Sequence, residues 1–257
     1  MTKKKSPAPF PMQAVLMAVV FLMIGFVLGK KIDINKLITQ TPDQVMEERA
    51  YIGEAIELPQ PRKDGRMSVE KAMQERRSKR AYTDDAMALD DVSQILWAIQ
   101  GQTADWGGRT VPSAKGAYPL NVTVVAKNVD GLEAGVYHFD SATHSLMQVM
   151  AEIPAQFDEA AVQGQNKKAP VAFILSGDYT AMTKAFDGKS NDQNVVLEAG
   201  HAGQNVYLQV ESLGLGTVVS GGFNKVLMKE ILDIPAQEDL FYLIPVGIPA
   251  TQEAATH

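Results

Sequence analysis

Apolar and polar residues are distributed along this chain in two different regimes. Phe10 to Gly29 is an unbroken apolar run of 20 residues with no charge, in which Gln13 is the only strongly polar side chain. As a helix such a run spans roughly 30 Å, the thickness of a bilayer's hydrocarbon core. Lys3, Lys4 and Lys5 precede it and Lys30 and Lys31 follow it, placed to reach the two interfaces. The pattern predicts one N-terminal transmembrane helix, with 1–9 as a basic tail. A cleaved signal peptide shares the basic start, but its apolar core is shorter, about 7–15 residues. Lysines are balanced on the two flanks; the α-amine and the order of basic tail then apolar run favour the tail inside and the body on the extracytoplasmic side.

After the apolar run the periodicity changes. Residues 30–57 read as a linker or arm, with Pro42, and Pro59 and Pro61 just beyond it, and a short helix through Gln44–Ile56. Ser68 is an N-cap for a helix reaching about Ser78, with Glu70 in the first turn where the helix dipole favours an anion. Leu89, Val92, Leu96 and Ile99 share one face of a helix over Leu89–Gln100 that Gly101 stops. Valine-rich or alternating runs predict strands at Asn121–Ala126, Gly135–Asp140, Ser145–Met150, Val171–Ser176, Gly216–Val219 and Phe241–Val246. A long helix, Asn194–Leu213, ends at Gly214 and turns Val195, Ala199, Ala202, Val206 and Val210 towards a core; a shorter one covers about Lys225–Leu232. Helices and strands intermixed in this way indicate an α+β domain.

Composition narrows the function. The chain has 257 residues, 46% hydrophobic and 21% charged, an ordinary globular mix for one domain with appendages. It has no cysteine, which removes disulfides, thiolate nucleophiles and cysteine-bound metal clusters. The net charge is −6; residues 1–31 carry five lysines and no acid, so the rest holds 19 basic against 30 acidic residues, or −11. An acidic body excludes nucleic acid as the main partner. His138, His144, His201 and His257 have no H-E-x-x-H spacing, and there is no G-x-S-x-G, so neither a metal site nor a hydrolase triad is expected, and no catalytic side chain stands out.

Three segments could hold a ligand. Arg76, Arg77, Ser78 and Arg80 put three guanidiniums and a hydroxyl within five residues, a set able to grip a phosphate; the same set also suits a solvated helix end. Pro112, Ser113, Ala114, Gly116 and Tyr118 belong to a small-residue turn that permits close backbone approach, or to a plain loop. Gly221 and Gly222 lie in a glycine-rich stretch, 214–223, with neither P-loop nor dinucleotide spacing.

The order of these segments is more specific than any one of them. L-P-Q-P-R is followed by S-V-E-K-A-M-Q-E-R-R-S-K-R, L-D-D-V-S-Q-I-L-W-A-I-Q-G, R-T-V-P-S-A-K-G-A-Y-P-L, G-L-E-A-G-V-Y-H-F-D, L-E-A-G-H-A-G-Q-N-V-Y-L-Q, G-L-G-T-V and Y-L-I-P-V-G. From about Leu58 to Pro249 the chain resembles the nitroreductase-like flavoprotein superfamily, in particular its SagB/ThcOx-type branch. The resemblance implies a flavin domain over 58–250, followed by a tail at 251–257. It implies a central mixed sheet flanked by helices, and a homodimer with FMN at the subunit interface. Arg76, Arg77, Ser78 and Arg80 would hold the FMN phosphate and ribityl chain. Pro112, Ser113, Ala114, Gly116 and Tyr118 would line the flavin from the partner subunit, and Gly221 and Gly222 would bring backbone N–H groups to its edge. The implied activity is an FMN-dependent oxidoreductase acting on a quinone, a nitro compound or an azoline-type peptide. One departure stands out: Ile248 follows P-V-G, where relatives commonly carry a basic residue. That departure opens a second reading, a degenerate or accessory flavin-domain subunit of a membrane complex.

Overall fold

A computed structural model describes residues 49–189 and 191–250. The basic tail, the 10–29 run, the arm up to residue 48 and the 251–257 tail lie outside the described residues. Among the described residues no helix is long and apolar enough to cross a membrane.

Seven strands form the main sheet in the order β1-β6-β5-β3-β7-β9-β8. They are β1 (Ile52–Glu57), β3 (Leu120–Ala126), β5 (Gly135–Asp140), β6 (Ser145–Met150), β7 (Val171–Asp178), β8 (Gly216–Thr217) and β9 (Glu238–Gly247). A two-residue ladder joins β2 (Met87–Ala88) to β4 (Val129–Asp130) outside it. The helices are α1 (Val69–Glu75), α2 (Leu89–Gln100), α3 (Tyr179–Ala185), α4 (Asp192–Ser212) and α5 (Lys225–Ile231).

The architecture is α+β, but the expectation of a mixed sheet is corrected. Among the described residues all six pairings of the main sheet are antiparallel, and only the small β2–β4 ladder is parallel. Parallel neighbours need a crossover that returns the chain to the opposite end of the sheet. Here β5 and β6 are consecutive and run antiparallel, and the long excursion after β7 returns to the end it left, with Asp178 opposite Glu238.

Two further expectations fail for tertiary reasons. The helix through Gln44–Ile56 is replaced, in its described part, by edge strand β1, which pairs with β6. Gly53 at φ +73° supports an irregularity in that pairing, and the backbone bonds come from β6 rather than from a helical turn. Helix α1 stops at Glu75, short of Ser78, because the chain beyond it is bound elsewhere: Arg76 turns to ψ 128°, and the Lys79 N–H donates to Thr217 O of β8 (2.8 Å). The Ser68 cap forms as expected, accepting from Lys71 N–H.

The sheet separates two apolar layers. On one side α2 and α4 bring Val92, Ile95, Leu96, Val195, Ala202 and Val206 against Val122, Val124, Phe173 and Leu175. On the other, α5 and a short turn bring Met228, Leu232 and Phe157 against Val125, Val136, Ile174 and Leu243. Each fully buried Leu, Ile or Phe is worth about 1.5–3 kcal/mol. The close seat of α4 depends on Gly203, where a Cβ would come within 3.1 Å of Val219 Cγ1 and 3.4 Å of the Tyr242 ring. Arg49 enters the sheet as a buried partner of Glu238 (2.8 Å) and donates to Thr123 Oγ1 (3.1 Å), while Ser176 Oγ donates to the same carboxylate (2.5 Å).

Candidate functional site

Helix α4 organises both clusters of site residues. Near its C-terminal end the Tyr207 hydroxyl lies 2.9 Å from Ser78 Oγ and accepts the Val219 N–H at 3.1 Å. The Arg76 guanidinium lies over the Tyr207 ring, 5.1 Å from its centre. One side chain therefore joins Arg76 and Ser78 to the strand end that runs into Gly221 and Gly222. The segment below is held firmly. Thr83 N–H donates to Ile248 O (2.9 Å) and Ala250 N–H to Ala81 O (3.0 Å). Tyr82 is buried, donates to Lys79 O at 2.8 Å and lies 3.2 Å from Pro245 O, and burial drives its pKa up. Lys79 pairs with Glu211 (3.1 Å).

The four predicted polar residues of this cluster behave differently. Arg77 folds back on the end of α1, donating to Gln74 O (2.9 Å) and Arg76 O (2.8 Å), so it caps a helix. Arg80 and Ser78 are exposed and Arg76 half-buried. None of the three arginines enters a salt bridge among the described residues. Gly221 and Gly222 are exposed, and a Cβ on either would meet nothing nearer than 3.8 Å. Packing within the described residues therefore leaves room for a side chain at both positions. Ile248, at the position where a cation was expected, packs against the core.

The other predicted cluster sits nine residues back along α4, about 14 Å at 1.5 Å per residue and half a revolution round the helix. Ser113 Oγ donates to Glu198 Oε2 (2.5 Å) and accepts the Tyr118 N–H (2.8 Å). Glu198 is only 2% exposed, and burial raises its pKa against the opposing pull of Ser113, Gln100 and Arg109. Gln100 Nε2 reaches Glu198 Oε1 (3.4 Å), Gln100 Oε1 accepts from Arg109 (2.8 Å), and the Arg109 guanidinium stacks 4.6 Å from the Tyr118 ring centre. Pro112 and Gly116 face solvent and Ala114 is half-buried. The structure thus brings Pro112–Tyr118 together as one loop, anchored on α4 nine residues from Tyr207, and among the described residues no hydrogen bond joins that loop to Arg76 or Gly222.

A cavity of about 800 Å³ lies between residues 62–69, α1, α2 and α4, with Met67, Trp97, Asn205 and Leu208 among its walls. None of the predicted site residues lines it. Among the histidines, His144 Nε2 lies 2.8 Å from Ser93 Oγ, and His201 is exposed. His138 has a buried Nδ1 with no partner among the described residues; burial, with a further contribution from Arg49, pulls its pKa down to about 4.

Sequence reasoning missed Tyr207, Glu198, Gln100 and Arg109. For Glu198 a signal existed: an acid in the middle of the apolar face Val195, Ala199, Ala202. Tyr207 carries no such signal, because its partners are 129 and 12 residues away in sequence.

Comparison with known proteins agrees with this geometry. The family model described as Nitroreductase family matches residues 73–248. A protein of Methanocaldococcus jannaschii bearing the nitroreductase name is 35% identical over 198 residues, which are 76% of this chain and 98% of that one. A crystal structure of a nitroreductase homologue from Ralstonia eutropha superposes with a TM-score of 0.64 at 25% identity, over 79% of this chain and 95% of that one. A further solved structure, from Desulfovibrio desulfuricans and in complex with FMN, shares the fold at TM-score 0.52 and 22% identity, over 74% of this chain and 90% of that one.

Proposed function

The chain belongs to the nitroreductase family of oxidoreductases, and from that premise we propose that it is a membrane-anchored enzyme of the SagB type that holds FMN between two copies of itself. The observation that carries the reading is the meeting at Tyr207. Arg76 and Ser78, with exposed Arg80 close by in sequence, offer donors that no acid among the described residues consumes, and they meet the strand leading to two glycines whose surroundings are open. That donor set fits a phosphate followed by a planar ring. FMN bound there would supply reversible hydride acceptance between an organic substrate and a second redox partner. The chain's own contribution is to bind and orient: Arg76, Ser78 and Arg80 on the phosphate side, Gly221 and Gly222 as an unobstructed backbone edge, and Pro112–Tyr118 as the wall given to the second subunit's site. The anchoring of that loop and of Arg76 at points nine residues apart on α4 supports a homodimeric site, in which each chain gives one half to its partner.

The substrate is a quinone, a nitro compound or an azoline-type peptide. The apolar run 10–29 with lysines on both flanks supports a single membrane anchor and a flavin domain on the extracytoplasmic side. Ile248, packed where a phosphate-binding cation was expected, favours one competing reading: an accessory flavin-domain subunit without turnover of its own. One experiment separates them. The purified full chain should be yellow, bleach with dithionite and regain its colour with a quinone; colour without recovery marks the accessory subunit, and a colourless protein that takes up no added FMN overturns the flavin reading. Release of the full chain from membranes by carbonate would overturn the anchor.

A further inference from the structure

We propose that Glu198 is a positioning residue for the flavin site, acting through Ser113 to hold the loop Pro112–Tyr118 in its binding shape. The proposal rests on the reading above that this loop lines the flavin.

The loop is not a relaxed one. Lys115 (φ 53°) and Tyr118 (φ 45°) both sit in the left-handed region that side chains avoid, with Gly116 (φ 66°) between them. Such a backbone persists only where surrounding contacts outweigh its strain. Lys115 is held from outside by Ala185 O (3.0 Å) and the Phe186 ring; the other contacts form a closed circuit. Glu198 accepts from Ser113; Ser113 accepts from the Tyr118 N–H; the Tyr118 hydroxyl accepts from the Arg109 N–H (3.2 Å); Arg109 donates to Gln100; and Gln100 donates back to Glu198. Both ends of the loop, and the residue that leads into it, are thereby referred to one buried carboxylate.

A carboxylate is an expensive choice for that place. Glu198 is surrounded on its own helix by Val195, Ala199 and Ala202, all buried, where an apolar side chain would pack without desolvating a charge. What an apolar residue could not do is accept a hydrogen bond from Ser113 and so leave the Ser113 lone pair aimed at Tyr118 N–H. The exposed edge of the loop, Pro112 and Gly116, makes none of these bonds and stays open to a ligand.

The test uses the full-length protein and two readouts. In flavin-free protein, hydrogen exchange of the Tyr118 amide reports the loop alone; titration with FMN, followed by flavin fluorescence and the visible spectrum, reports the site. Ser113→Ala and Glu198→Ala should each speed Tyr118 exchange about tenfold or more and weaken FMN about tenfold, the order expected for loss of a hydrogen bond to a charged group. Ser113→Thr and Glu198→Gln, which keep a donor and an acceptor, should stay within about threefold of wild type. The double variant should lose little more than either single one, since both act through one link. If Glu198→Ala fails to fold, Ser113→Ala, at a half-exposed position, carries the test. Faster Tyr118 exchange with unchanged FMN affinity and spectrum would overturn the positioning role while leaving the flavin reading standing. A wild-type protein that protects the Tyr118 amide but binds no FMN would overturn the flavin reading and this proposal with it.

Discussion

The two ends of helix α4 handle their polar groups in opposite ways. Around Glu198 the carboxylate, an amide, a guanidinium and a hydroxyl are bonded to each other, and the acid is 2% exposed. Around Tyr207 the Arg76 guanidinium rests on the ring, Arg80 four residues on is exposed, and neither pairs with an acid among the described residues. The difference separates two tasks. Groups that shape a strained loop use their hydrogen-bonding capacity internally, so changing them alters the fold. Groups proposed to grip a phosphate keep that capacity unused, so changing them should alter affinity and leave the fold intact.

The sharpest way to break this contrast is to compare stability at the two ends. Glu198→Ala strips Ser113 and Gln100 of a buried acceptor and should cost about 2–4 kcal/mol, lowering Tm by several degrees in calorimetry. A loss under about 0.5 kcal/mol would mean the circuit is not under load. At the other end, Arg76→Ala with Arg80→Ala should weaken FMN about a hundredfold, at roughly tenfold for each charge-assisted bond, while Tm stays within a degree or two. A large drop in Tm with unchanged FMN binding would reverse the assignment.

Acid unfolding sharpens the same comparison between paired and unpaired burial. His138 has a native pKa pulled down to about 4 against about 6.5 unfolded, so between those values the unfolded chain binds the extra proton. Its contribution is therefore present above pH 6.5 and lost as pH falls towards 4, a difference of about 1–3 kcal/mol. Urea melts at pH 7 and pH 4.5 should show a smaller pH effect in His138→Phe than in wild type; an identical effect would show that this ring is not the group responsible. The smallest expected change is Tyr207→Phe, which removes the hydroxyl between Ser78 and Val219 but keeps the ring beneath Arg76. It should cost about 1 kcal/mol and weaken FMN only a few-fold. A hundredfold loss would mean that the hydroxyl itself meets the ligand.

Much of the fold was legible locally. Helix α2 spans Leu89–Gln100 and stops at Gly101 as its apolar spacing predicts, and α4 buries Val195, Ala199, Ala202, Val206 and Val210, the face expected of it. The Ser68 cap is a four-residue device and needs nothing distant. The arginine cluster, the small-residue loop and the paired glycines could be singled out as candidates because residue type and order carry them. The arrangement of these segments in space could not be located in this way. The edge strand Ile52–Glu57 exists because β6 offers it a partner, and α1 ends at Glu75 because Thr217 claims the chain beyond.

What the sequence by itself determined about this protein is therefore every feature set within one or two helical turns: helix faces, caps, strand runs, and the order of motifs that marks its superfamily. What only the tertiary structure decided is which of those features touch. The antiparallel sense of the main sheet, the hydrogen bond of Ser113 to Glu198 and the meeting of Tyr207 with Ser78 all depend on partners tens of residues apart, 85 for Glu198 with Ser113 and 129 for Tyr207 with Ser78. Hydrogen bonds act over about 3 Å in space and are indifferent to separation along the chain, whereas the periodicities legible in a sequence fade after a few turns.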